Sequence, residues 1–226
     1  LYSIWNGTSW SATSTITLAN ANNCAYIELA SDPTSDEIVA VFKHVNTGTP
    51  DYEIMVWSGS AWGNALALAD MNENANAGAA VVYEESGGQA IVAMTNNLAT
   101  TLLYALWSGS AWSTSTHALG DHIEWASLRR DEGSDEVALC YMDNDTNIGV
   151  LQWDGSAWGT FSEVEQTGNS KAGHAIDCAY ETLGSRDNYL MVPYSDATNG
   201  RYQFYATTTP SGELSVSTIQ DAWRVL

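Results

Sequence analysis

Eight of the ten tryptophans stand in four pairs, each pair five positions apart: Trp5 and Trp10, Trp57 and Trp62, Trp107 and Trp112, Trp153 and Trp158. An indole is a flat, polarisable ring that can stack on the C–H face of a sugar, and it is also an efficient apolar plug. All eight are therefore candidate ligand-stacking residues, and seam-filling between structural units is the competing reading. Burying one such ring removes roughly 200 Å² from water, worth about 5 kcal/mol as an upper bound.

Other groups that could do chemistry are sparse. Asp143-Asn144-Asp145-Thr146-Asn147 alternates side-chain oxygens as calcium loops do. It lacks the sixth-position glycine and the distal glutamate of an EF-hand. An ordinary polar turn is the first reading, and a calcium site on Asp143, Asp145 and Asn147 is the second. Calcium is thus the one cofactor the chain suggests. His44, His117, His122 and His174 form no metal-binding pair, and no nucleophile elbow or phosphate-binding glycine loop occurs. The acidic pairs Glu84/Glu85 and Asp131/Glu132 fall in turns, where solvated charge is the default. A glycosidase needs only two carboxylates, so that reading stays open. We name no catalytic residue.

The three cysteines, Cys24, Cys140 and Cys178, are too few for a disulfide framework. They read either as buried thiols or as one bridge with a spare. The 226 residues carry 27 acidic and 7 basic side chains, a net charge of -20. That surface repels phosphate backbones and anionic lipids, so neither nucleic acid nor a membrane surface is an expected partner. No apolar run is long enough for a membrane span, so no membrane insertion is expected. The abundance of Ser, Thr, Asn, Gly and Ala suits an extracellular or cell-surface protein. The start at Leu1 suggests a processed or excised piece of a longer polypeptide.

The elements that hold the tryptophans repeat with them. The first tryptophans of the pairs lie 52, 50 and 46 residues apart. A period near fifty marks an array of small sheets. Between the pairs, a turn such as Ser35-Asp36-Glu37 or Ser134-Asp135-Glu136 leads into an apolar run such as Ile38–Phe42 or Val137–Tyr141. That run is apolar on consecutive residues, as in a strand covered on both faces. Each unit then has four strands: one near Cys24–Leu29, the apolar run, one ending in the first tryptophan, and one starting at the second. This is an all-β fold, a β-propeller of four-stranded antiparallel blades. Blade units fall at about 24–74, 75–124, 125–173 and 174–219, with 1–18 and 220–226 as a partial blade, all in one domain spanning 1–226. The ring has about five blades or is a fragment of a larger one. In the first and fourth hairpins, Asn6-Gly7 and Asp154-Gly155 favour a two-residue turn. That turn sets Trp5 opposite Thr8, Trp10 opposite Ser3, and the indoles diagonally.

The segment Gln152-Trp153-Asp154-Gly155-Ser156-Ala157-Trp158 resembles the blade hairpin of fucose-binding β-propeller lectins. The resemblance implies that hairpin tryptophans wall a sugar pocket. In those lectins an arginine on the second strand and a glutamate on the third bind the sugar. Here the matching positions hold Val39, Val92 or Ala138, and Ile54, Tyr104 or Val150, so fucose recognition does not carry over. The hairpin is similar, more weakly, to the Asp-box turn of sialidases, although only Asp154 supplies the aspartate. Sialidases use three clustered arginines. Arg129 and Arg130 are adjacent here and point to opposite faces of a strand.

The expectation is a non-catalytic, extracellular or cell-surface binding module, lectin-like, for glycans or surface proteins. The alternatives are a structural subunit that assembles with further blades or subunits, and a propeller-type glycoside hydrolase or lyase.

Overall fold

A computed structural model describes residues 1–21, 23–44, 50–69, 78–95, 100–160, 162–165, 176–181, 189–195, 200–207 and 214–221. Lys171, His174, the hairpin tip at 208–212 and the tail 222–226 lie outside the described residues. Four antiparallel four-stranded sheets follow one another along the chain. The first is β1 (Cys24–Ser31), β2 (Glu37–His44), β3 (Tyr52–Ser58) and β4 (Trp62–Leu68). The second is β5 (Ala79–Tyr83), β6 (Ala90–Thr95), β7 (Thr101–Trp107) and β8 (Trp112–Ala118). The third is β9 (Ile123–Arg130), β10 (Val137–Asp143), β11 (Ile148–Trp153) and β12 (Ser162–Glu165). The fourth is β13 (Ala179–Glu181), β14 (Tyr189–Ser195), β15 (Gly200–Thr207) and β16 (Leu214–Asp221). In each sheet the strands pair in chain order. The first strands β1, β5, β9 and β13 lie beside one another in succession. These are the blades of a β-propeller, with each first strand nearest the hub. No helix occurs among the described residues.

Burial follows from this stacking. Every residue of β6 and β10 is buried, because each strand has a neighbouring blade on both faces. The outermost strands β4 and β8 are mostly exposed or half-buried. Three apolar clusters fill the three seams. Val39, Val41, Val81 and Val92 join the first and second blades, and Ile91, Leu102, Leu128 and Leu139 join the second and third. Cys140, Val150, Ile176 and Val192 join the third and fourth. The last seam is also stapled by a disulfide between Cys140 and Cys178, with Cys24 free. One bridge with a spare is thus the outcome of the two readings of the cysteines.

Ahead of the first blade, residues 1–18 form a separate hairpin, with Tyr2 paired to Ser14 and Trp5 to Trp10. It corresponds to the third and fourth strands of a blade without the first two. Ile16 and Leu18 pack on Phe42 and Met55 of the first blade. The face of β1 beside it alternates half-buried and exposed, whereas its counterpart β5 is buried throughout. The described half-blade, residues 1–18, sets no inner strand against that face.

The hairpin register differs from the two-residue turn expected above. The paired tryptophans are directly opposite one another in all four hairpins, across a loop of four residues. The reason lies in the first loop residue. Asn6 Oδ1 accepts the backbone N–H groups of Thr8 and Ser9, at 2.9 and 2.8 Å. Asp154 Oδ1 does the same for Ser156 and Ala157. Ser58 and Ser108 use their hydroxyls on Ala61 and Ala111. The side chain thus caps the loop, and the following glycine alone takes the positive φ, 80° to 97° in the four copies. Directly opposite indoles sit with centroids 5.2 to 5.6 Å apart, tilted or edge-on.

Candidate functional site

The four tryptophan clasps share one backbone but face four different surroundings. In the second blade, Trp107 is 1% exposed, and its Nε1–H donates to Glu37 Oε2 of the first blade at 3.1 Å. In the third, Trp153 is also 1% exposed and donates to Glu84 Oε1 of the second blade at 2.7 Å. The acceptors come from the turn between a blade's first and second strands. Glu37 sits at the end of that turn, and Glu84 at its start. Where Gln89 stands at the position of Glu37, its amide donates to Glu84 and holds the carboxylate in place. Burial raises the Glu84 carboxyl above its usual range, and the donors Trp153 and Gln89 pull it back in part.

Three of the eight expected stacking residues are thereby corrected. Trp107, Trp153 and Trp158 are buried in seams and offer no ring face to a ligand. Tyr104 completes the plug, edge-on to both Trp153 and Trp158 with centroids 6.1 Å away. Trp112 is half-buried and spends its Nε1–H on the carbonyl of Asn64 at 2.7 Å. Asn64 has a positive φ of 48° beside an irregularity in the β3–β4 ladder, which turns that carbonyl outward. Trp5 and Trp10 are exposed on the half-blade. The described residues of the fourth blade include no tryptophan pair. Its register positions for the two tryptophans hold Ala206 and Ser215. Glu136, which matches Glu37 in the repeat, instead accepts Gln152 Nε2 of its own blade at 2.8 Å.

The remaining clasp is different. Trp57 and Trp62 are both half-buried and line a cavity of about 500 Å³ between the half-blade and the first blade. Tyr2 stands edge-on to both rings, 5.7 and 6.2 Å from their centroids. Tyr2 and Tyr104 occupy the same repeat position, three before a first tryptophan. Asp36, Glu37 and Leu29 also line the cavity. The repeat explains why it is open. In the next two seams, the turn of the preceding blade covers the first tryptophan and accepts its N–H. The described half-blade, residues 1–18, presents no such turn to Trp57.

The other singled-out residues have structural partners. Asp143 accepts Asn147 N and Nδ2 at 2.8 and 2.9 Å, which closes the turn expected at 143–147. No group of three or more His, Cys, Asp or Glu is arranged for a metal ion among the described residues. Arg129 bonds Asp177 and Arg130 bonds Glu85, each at 2.8 Å and in opposite seams, as adjacent strand residues must. His44 Nε2 lies 3.0 Å from Glu53, whose carboxylate also accepts the N–H groups of Ala19 and Asn20. That buried pair pins the link from half-blade to first blade. His122 lies beside Asp121 and Glu124. Burial lowers the pKa of His117. Sequence reasoning missed Glu37 and Glu84 as indole acceptors and Tyr2 as a cavity wall. The recurring acid at the first turn was the available signal for the acceptors.

No protein-family model and no curated protein matches the chain. Solved structures do. A lectin of the fungus Aleuria aurantia, in complex with α-methyl-L-fucoside, superposes with a TM-score of 0.61 at 10% identity, over 96% of this chain and 68% of that one. A Burkholderia pseudomallei lectin gives 0.66 at 13% identity, over 95% and 62%. A Streptococcus pneumoniae sialidase gives 0.51 at 12% identity, over 75% of this chain but 28% of its own. The Aleuria aurantia lectin is described as a six-bladed β-propeller. The chain thus shares the propeller fold of fucose-binding lectins and spans about two thirds of their length.

Proposed function

We propose that the chain is a non-catalytic β-propeller module that binds carbohydrate outside the cell or at its surface. The observation that carries this reading is the cavity at Trp57, Trp62 and Tyr2, where aromatic rings meet polar side chains in a space large enough for a saccharide. The superposed lectins support it at the level of the fold. The carboxylates of Glu37, Glu84 and Glu53 are engaged in holding indoles or backbone N–H groups, which supports a non-catalytic role. The disulfide fits an oxidising compartment. A glycan array read alongside tryptophan fluorescence tests the reading. Binding that is lost in Trp62→Ala supports it, and no binding to any sugar overturns it.

Assembly with further blades is a second reading, favoured by one observation. Ile27 and Leu29 on β1 are 51% and 55% exposed beside the half-blade. Sedimentation over a hundredfold concentration range tests it. A species heavier than one chain supports assembly.

A further inference from the structure

We infer that the open cavity selects sugars bearing a free ammonium group, that is, deacetylated amino sugars. The inference rests on the carbohydrate-binding reading above and names its ligand class. The described cavity has aromatic walls on one side, Tyr2, Trp57 and Trp62, and carboxylates on the other, Asp36 and Glu37. No lysine or arginine lines it. A sugar held there places its C–H face on the indoles and its substituents toward two acids. Asp36 is exposed and sits against the clasp itself. A Cβ on Gly59, at the tip of the Trp57–Trp62 loop, would lie 3.1 Å from the Asp36 Cβ, so the glycine is what lets the acid come this close. Glu37 keeps Oε2 for Trp107 and the Tyr83 hydroxyl; neither bond uses Oε1.

Trp62 Nε1, like Trp158 Nε1, is buried without a hydrogen-bond partner, so what Trp62 offers the cavity is ring surface. A sugar stacked on that ring surface sets an ammonium substituent toward Asp36. The wider field agrees. A net charge of -20 disfavours uronic and sialic acids at any site on this surface and draws cations toward it.

The test is a fluorescence titration of the whole chain with three trisaccharides of matched size: glucosamine, N-acetylglucosamine and galacturonic acid. The glucosamine trisaccharide binds at least fivefold tighter than the acetylated one, and the uronic acid does not bind. Asp36→Asn weakens glucosamine binding about fivefold, the upper end for an exposed ion pair. Sodium chloride above roughly 0.15 M weakens it too. Trp62→Ala abolishes it. Equal binding of the acetylated and free amines overturns the inference while leaving the carbohydrate reading in place. Glucosamine binding that survives Trp62→Ala is general attraction to an acidic surface and also overturns it. If neither these probes nor any array glycan binds, the underlying reading fails as well.

Discussion

The bond from Trp153 to Glu84 gives the sharpest energetic test. It crosses the seam between the second and third blades at 2.7 Å, with both side chains buried. Trp153→Phe keeps an aromatic ring and removes the donor. A hydrogen bond to an ionised group contributes about 1.5–3 kcal/mol. The smaller ring adds roughly 1 kcal/mol of lost packing. The expected loss is about 3 kcal/mol, or roughly 6–12 °C in Tm for a chain of this size. Trp10→Phe is the control, because that ring is 67% exposed and its change stays within about 0.5 kcal/mol. Urea unfolding at pH 7 of Trp153→Phe, Glu84→Gln and the double variant supplies the cycle. The two sites couple by more than roughly 1 kcal/mol. Simple additivity, or a Trp153→Phe chain as stable as its parent, refutes the indole–carboxylate lock. Loss of the donor also moves the Glu84 carboxyl further up, since Trp153 is the first of the groups that hold it down.

Four further outcomes follow from the same structure. Burial opposes ionisation of Asp32, but hydrogen bonds from Thr34, Ser35 and Gly88 outweigh it and hold the carboxyl below its usual 3.8. Its stabilisation is present above that value and is lost as pH falls through the folded pKa, so the stability gap between parent and Asp32→Asn narrows in acid urea titrations. Lys43 is shifted the other way for a base, with burial lowering its pKa to about 8 from 10.5 despite Glu124. Between those values the unfolded chain holds more protons, so stability from this group rises with pH, and Lys43→Met flattens the rise. The Cys140–Cys178 bridge spans 38 residues and constrains the unfolded chain by ~4 kcal/mol, so reductant lowers Tm and thiol counting in denaturant without reductant finds one thiol, Cys24. The Asp143–Asn147 turn is closed by its own hydrogen bonds, so millimolar calcium leaves Tm unchanged; a rise would favour a calcium site on Asp143, Asp145 and Asn147 instead.

The repeat period, the blade order and the four-strand unit were legible because they depend on short-range pattern. Consecutive apolar residues at Ile38–Phe42 and Val137–Tyr141 reported burial on both faces; β10 has it throughout and β2 from Val39 onward. The hairpin register was not legible, because Asn-Gly and Asp-Gly serve both a two-residue turn and a capped four-residue loop. What separates them is whether the first side chain folds back onto the backbone, as Asn6 and Asp154 do. The tryptophans were found, but their roles were not. Trp57 and Trp107 have the same local sequence, and only the blade in front of each decides which is buried. A partner some seventy residues away, as Glu37 is from Trp107, leaves no trace in a local window.

Trp57 borders a cavity, whereas Trp107, in the same six-residue hairpin sequence, is sealed in a seam and bonded to Glu37. The indole Nε1–H spectrum of the nitrogen-15-labelled chain, recorded while the glucosamine trisaccharide is added, tests this contrast most directly. The Trp57 and Trp62 signals are expected to move while those of Trp107 and Trp153 stay fixed. Movement of Trp107 or Trp153, with Trp57 and Trp62 unchanged, contradicts it.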